Sequence, residues 1–178
     1  MQQRIICSGF GGQGVLTMGL LLAYSLHKDG KKITWYPSYG SEMRGGTANC
    51  MVKYSDEDIA SPFIKEADIV ITLNEPAIAK FEDYLVPNGH LFVNASLVGE
   101  RNYREDIHVH FVDTKKLAQA ANNPKGENIA MLGAVLKAIP MLPVADFEEA
   151  IRKFFADRGK SAFHEANRNA LYEGYNSL

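Results

Sequence analysis

The chain has 178 residues, 46% of them apolar and 22% charged, with a net charge of −2. That is enough for one well-buried core and short for two, and the lack of a broad basic field argues against wrapping nucleic acid or lying on an anionic membrane. Cys7 and Cys50 are the only cysteines and lack cluster or zinc spacing, the N-terminus lacks signal-peptide organisation, and no apolar run approaches the ~20 residues that span a bilayer. A cytoplasmic protein with reduced thiols and no metal is expected.

Residues 4–8 (RIICS) are apolar and β-prone, GFGGQG follows, and VLTMGLLLAYSLHKDG carries apolar residues at helical spacing, which predicts strand, glycine turn and helix. Gly30 closes that helix, and KITWYP at 32–37 returns as a strand leading into the loop PSYGSEMRGGTANC. TANCMVKYS at 47–55 reads as a strand with Ala48, Cys50 and Val52 on one face and Asn49, Met51 and Lys53 on the other. ADIVITLN at 67–74 is a near-continuous apolar run of the kind covered on both faces, ending in the turn Asn74-Glu75-Pro76. EPAIAKFEDYLVPNG predicts a helix with Pro76 in its first turn and Gly89 as its stop, and HLFVNAS and IHVHFVDT predict two more strands. From Thr114 onward TKKLAQAAN, GENIAMLGAVLKAI, VADFEEAIRKFFADRG and SAFHEANRNALYEGY are helical, with no linker, repeat or low-complexity segment. The alternation implies a single α/β domain over 1–178, three-layer α/β/α and Rossmann-like, with a mainly parallel sheet. TANCMVKYS can add an antiparallel member, and the helices after about residue 114 cover one face or edge.

Gly9, Gly11 and Gly14 have the G-x-G-x-x-G spacing between a strand and a helix, where glycine backbone approaches a ligand closely and free helix N–H groups favour an anion. A dinucleotide site also wants an acid at the end of the second strand, yet KITWYP ends in Trp35, Tyr36 and Pro37, and GFGGQGVLT lacks the G-K-[ST] ending of a P-loop. The turn is therefore read either as an anion site, with Gln13 as a hydrogen-bonding arm, or as glycines that serve helix-to-sheet packing alone.

Glycine and serine suit a wide connection in PSYGSEMRGGTANC. Glu42, Met43 and Arg44 between glycines are less expected there, and a loop that follows a strand's carboxyl end lines the ligand crevice of a doubly wound sheet. The loop should thus lie near GFGGQG. His108 and His110 share a strand face without a third ligand being indicated, and His27, His90 and His164 occupy ordinary surface or helix-end contexts.

GFGGQGV, PSYGSEMRGGTANC, SDEDIASP, ADIVITLNEPA and NIAMLGAVL together resemble the gamma subunit of 2-oxoacid:ferredoxin oxidoreductases, a module also fused inside single-chain pyruvate:ferredoxin oxidoreductases. The resemblance runs from about Gln3 to about Ile139 and is most specific at GSEMRGGTANC. It implies a non-catalytic subunit of a complex that oxidatively decarboxylates a 2-oxoacid, 2-oxoglutarate ahead of pyruvate, branched 2-oxoacids and indolepyruvate, to an acyl-CoA. Thiamine diphosphate would lie between alpha and beta partners, iron-sulfur clusters in beta and a ferredoxin-like delta partner, and ferredoxin would accept the electrons. The gamma module is associated with coenzyme A and with assembly. Gly9, Gly11, Gly12, Gln13, Gly14, Ser41, Arg44, Gly45, Gly46, Asn49 and Asn74 are then the candidate contacts to coenzyme A. Arg44 would pair with a phosphate or with a partner subunit, Glu42 suits the latter, Asn74 is equally a helix cap, and Tyr39 would stack on a base or close its loop. A free-standing nucleotide-binding enzyme and a scaffold without ligand are the competing readings.

Overall fold

The computed structural model describes residues 2–39 and 47–178. In chain order the elements are β1 (Gln3–Phe10), α1 (Val15–Lys28), β2 (Lys32–Tyr39), β3 (Thr47–Ser55), β4 (Ala67–Thr72), α2 (Glu75–Phe81), β5 (Leu85–Asn94), β6 (His108–Val112), α3 (Thr114–Ala120), α4 (Glu127–Ala138), α5 (Val144–Ala156) and α6 (His164–Tyr175). The strands form one sheet in the order β2-β3-β1-β4-β5-β6. β1, β4, β5 and β6 are parallel, while β3 runs antiparallel to both β1 and β2. The mixed sheet read from the sequence is present, with TANCMVKYS as its antiparallel member.

Strand alternation decides which side chains meet which layer. Ile5, Cys7, Cys50, Val52, Ile69, Ile71, Phe92 and Val112 face a large core shared with α1, α4, α5 and α6. On the opposite face Ile6, Val70, Leu91 and Val93 meet Ile78 and Phe81 of α2 and Ile64. The two faces expected of TANCMVKYS hold, since Cys50 and Val52 enter the large core and Met51 packs against the smaller one.

Most boundaries shift by a residue or two, as β1 does in running on to Phe10, and two differences have a physical reason. β2 continues to Tyr39, two residues past the expected end, because Pro37 sits on an edge strand where its missing N–H costs no ladder bond. Gly89 does not stop a helix: α2 ends at Phe81, residues 82–84 form a 3₁₀ turn, and Val86-Pro87-Asn88-Gly89 lies inside β5. There the register against β4 jumps, with Ala67 facing Leu85 while Ile69 faces His90, and Asn88 takes φ 64°. A bulge satisfies the Pro-Asn-Gly turn preference without ending the strand. A Cβ at Gly89 would stand 2.8 Å from the Val86 carbonyl oxygen, so close backbone approach is what this glycine supplies.

From β1 the chain crosses through α1 on one face towards β2, and from β4 through α2 on the other face towards β5. The crossover direction therefore reverses between β1 and β4, and the carboxyl ends of these strands open the crevice where ligands of such sheets bind. β3 separates β2 from β1, so the end of β2 does not neighbour the glycine turn as a ribose-binding acid would require.

Candidate functional site

The turn after β1 places Gly11, Gly12, Gln13 and Gly14 between Phe10 and the start of α1. Gly12 and Gly14 adopt φ 98° and 75°, values that side-chain-bearing residues rarely take. A Cβ at Gly14 would lie 2.5 Å from Asn128 Nδ2, which itself donates to the Gly14 carbonyl at 3.2 Å. Gly9 has a different task, since a Cβ there would come within 2.7 Å of Gln13 Oε1 and 2.9 Å of Val15. Gly9 and Gly14 thus serve close packing of the turn, whereas a Cβ at Gly12 would meet open space.

Gln13 is a stitch more than an arm. Its Oε1 accepts from the Phe10 N–H at 2.6 Å and from Asn74 Nδ2 at 3.3 Å, while its Nε2 donates to the Leu73 carbonyl at 3.2 Å. Asn74 Oδ1 accepts from the Ala77 N–H at 2.9 Å, capping α2, so both of its amide atoms are engaged. Gln13 and Asn74 join the β1 and β4 loops into one hydrogen-bonded wall.

Beside this wall is a cleft of about 500 Å³ whose lining includes Gly12, Gln13, Gly14, Asn94, Glu127 and Asn128. Asn94, at the end of β5, is its hub: Oδ1 accepts from Ser96 Oγ at 2.6 Å, Ser96 N–H at 3.2 Å and Thr114 Oγ1 at 2.8 Å. Thr114 Oγ1 also stands 2.8 Å from Glu127 Oε2, so one hydroxyl proton faces two acceptor oxygens. Sequence reasoning missed Asn94, Glu127 and Asn128. A polar residue closing an apolar strand was the available signal, as in FVNAS and in TLNEP. Asn94 Nδ2 donates to the Leu73 carbonyl at 3.4 Å, so its amide holds the wall together, while the Asn128 amide suits hydrogen-bonding to a neutral polar chain and Glu127 disfavours an anion at this end of the cleft.

Asn49 is buried on the face away from α1 and does not line the cleft. Ser41, Glu42, Arg44, Gly45, Gly46 and the Tyr39 side chain lie outside the described residues. Their flanks are placed: Tyr39 pairs with Ala48, and Thr47 pairs with Phe10 at the start of the glycine turn.

Cys7 and Cys50 face each other across β1 and β3 in the core, and a hydrogen bond to Cys50, then burial, holds the Cys7 thiol well above the usual thiol range. His90 Nδ1 and His110 Nε2 are 3.0 Å apart, and burial, then neighbouring imidazoles, lowers both below the usual histidine value. Among the described residues no group of three or more His, Cys, Asp or Glu is arranged to hold a metal ion.

Comparison with known proteins identifies the family of the chain. The chain is 32% identical over 179 residues to the 2-oxoglutarate synthase subunit KorC of Methanocaldococcus jannaschii, covering 98% of this chain and 93% of that one. It is 34% identical over 172 residues to the ketoisovalerate oxidoreductase subunit VorA of Methanothermobacter marburgensis, 96% of this chain but only 35% of the length of VorA. Its fold matches the crystal structure of a keto/oxoacid ferredoxin oxidoreductase gamma subunit from Geobacter sulfurreducens with a TM-score of 0.85 at 26% identity, covering 99% and 95% of the two chains. It matches 31% of a 2-oxoglutarate:ferredoxin oxidoreductase from Magnetococcus marinus, solved with 2-oxoglutarate, coenzyme A and succinyl-CoA bound, with a TM-score of 0.84 at 18% identity over 99% of this chain. With residues 4–177 matched, the chain belongs to the pyruvate ferredoxin/flavodoxin oxidoreductase family.

Proposed function

We propose that this chain is the gamma subunit of a thiamine-diphosphate-dependent 2-oxoacid:ferredoxin oxidoreductase. In that complex it helps bind coenzyme A and hold the assembly together while a 2-oxoacid, 2-oxoglutarate ahead of the others, is oxidatively decarboxylated to an acyl-CoA. Thiamine diphosphate and the iron-sulfur clusters belong to alpha, beta and delta partners, ferredoxin takes the electrons, and the complex works in the cytoplasm. The observation that carries the coenzyme A reading is the amide-rich cleft at the topological switch point. A pantetheine arm is thin and carries amides, which Asn128 matches by type, and the open side of Gly12 allows close approach to backbone. A relative of the same fold has been solved with coenzyme A bound, which supports the assignment. Both cysteines are core residues, which supports a chain that holds no cluster and performs no electron transfer of its own.

The test is reconstitution with the partner subunits. The chain alone should show no 2-oxoacid oxidation, and added to its partners it should raise acyl-CoA formation. Asn128→Leu should raise the coenzyme A constant roughly tenfold, about 1.4 kcal/mol, without moving the 2-oxoacid constant. Arg44→Ala should weaken coenzyme A by about 1.5–3 kcal/mol if the guanidinium meets a phosphate, or lower complex yield on gel filtration if it anchors a partner. Turnover by the pure chain with an artificial acceptor would overturn the reading.

A further inference from the structure

Phe63 and Phe111 are 57% and 55% exposed, and both stand on the face of the sheet that carries α2. Phe63 packs at 4.8 Å on Tyr36, which alternates with Trp35 of the large core and pairs with Met51 of the smaller one. Phe111 alternates with His110, which stacks on Phe92 of the large core, and meets Tyr103 edge-on at 5.5 Å. The segment that presents Phe63 is tied down on both sides of it. Lys53 Nζ donates to the Ser61 carbonyl at 2.8 Å, the Ile64 N–H meets Met51 Sδ at 3.2 Å, and the Ile64 side chain is buried. An aromatic ring held in water by anchored backbone loses little conformational freedom on binding, which suits it to be the anchor of an interface.

The same face is acidic. The segments over it, residues 56–66, 75–84 and 95–107, hold ten Asp or Glu against four Lys or Arg, whereas α1 and α3–α6 on the other face hold six against seven. Asp56, Asp58, Glu66, Glu82 and Asp106 are paired with lysines or arginines. Glu57, Glu75, Asp83, Glu100 and Glu105 are exposed and make no ion pair among the described residues, and of the four bases only Lys65 and Lys80 are likewise unpaired.

This charge selects the occupant. Two copies of the chain meeting through the α2 face would set unpaired carboxylates against each other, and the helical face of a second copy offers no positive excess to receive them. Nucleic acid and anionic membrane are repelled for the same reason. A different polypeptide with a basic surface is complementary, and the VorA and Magnetococcus relatives, of which the chain covers 35% and 31%, have further polypeptide joined to the matching part. The size also fits. Tyr36 on β2 and Phe111 on β6 are five strand spacings apart, about 24 Å, comparable with the width of a surface that buries roughly 800 Å² per partner.

We propose that the α2 face docks a basic protein surface of a partner subunit, with Phe63 and Phe111 as anchors on either side of α2. This docking rests on the chain being a gamma subunit, and it adds which face the partner covers and by what chemistry.

The purified full chain is passed over the separately immobilised alpha, beta and delta partners, with thermal melting as the check on folding. One partner should bind, with an association rate that falls severalfold as salt is raised. Phe63→Ser and Phe111→Ser should each weaken binding roughly tenfold with little change in melting. Glu57→Lys combined with Asp83→Lys should slow association severalfold and flatten its salt dependence. Phe163→Ser, which removes a ring 52% exposed just before α6, should leave binding unchanged. Wild-type affinity in both variants of the α2 face, faster association after the charge reversals, or an equal loss in Phe163→Ser would overturn the docking face and leave the gamma-subunit reading standing. No binding to any of the three partners would overturn both. Self-association of the chain alone that Phe63→Ser abolishes would give the face to a second copy and overturn the docking of a partner there.

Discussion

The two faces of the sheet are unequal. One carries five helices, α1 and α3 to α6, against a continuous apolar surface from Tyr54 on β3 to Val112 on β6. Among the described residues the other has only the seven-residue α2, the 3₁₀ turn after it and irregular segments, buries Lys53 with its Nζ donating to the Ser61 carbonyl at 2.8 Å, and leaves Phe63 and Phe111 more than half exposed. Stability is therefore concentrated on the helical face. The lesson for function is that the cleft beside the glycine turn sits where that helical face reaches the carboxyl ends of the strands.

The sharpest way to break this contrast is to truncate one phenylalanine on each face. Phe147 on α5 is fully buried in the helical core, so Phe147→Ala should cost about 3–5 kcal/mol. Phe111, 55% exposed on the other face of β6, should give a change within about 0.5 kcal/mol as Phe111→Ser. Urea denaturation of the two variants checks this, and equal losses would mean that the open face holds its share of the core.

The glycine turn offers a finer comparison within the helical side. Gly12→Ala forces a side chain into φ 98° but into open space, a cost of about 1–2 kcal/mol. Gly14→Ala adds to a similar backbone strain a Cβ 2.5 Å from Asn128 Nδ2, and should lose more, about 2–3 kcal/mol. Asn128→Ala in the same chain should return part of the Gly14→Ala loss and none of the Gly12→Ala loss. An additive cycle at Gly14 would show that α4 does not press on the turn.

The cysteines report whether the helical face opens in parts. Both thiols are in the core, and Gly19 of α1 comes so close that a Cβ there would overlap Cys50 Sγ. Alkylation of the native chain should therefore proceed only at the rate of global unfolding, with both sites labelled together in mass spectra. Fast labelling of one site would place a local opening between α1 and β3.

Periodicity made most of this architecture legible. Continuous apolar runs marked β4 and the centre of β5, alternation marked β3, and the Asn74-Glu75-Pro76 signal placed the start of α2, because each reflects burial or backbone geometry acting over a few residues. Gly89 misled, since Pro-Asn-Gly reads identically at a helix stop and in a bulge, and only the partner strand's register distinguishes them. The site was half legible. Local pattern exposed the glycine turn, but Asn94, Thr114, Glu127 and Asn128 converge through contacts between residues far apart in sequence.

The smallest expected effect concerns the margin of the helical face at β6. His90 and His110 lie on that face, half-buried, with His108 on the adjoining edge, and burial followed by neighbouring imidazoles lowers their proton affinity. In the unfolded chain a histidine titrates near ~6.5. Below that value the unfolded chain binds protons that the folded chain resists, so the stabilisation is complete above ~6.5 and is lost as pH falls through it towards the lower folded values. Denaturation midpoints measured between pH 7.5 and 5 should decline on the acid side, and His90→Gln with His110→Gln should flatten that decline while leaving the neutral-pH slope unchanged. The 3.0 Å contact also predicts that the single variants are not additive, since removing either ring removes the other's neighbour. An acid slope between pH 7.5 and 5 unmoved by the double substitution would overturn the assignment to the two imidazoles, because Asp106 and Asp56, held below their usual range by hydrogen bonds to Arg104 and Lys31, lose their contribution only below about pH 5.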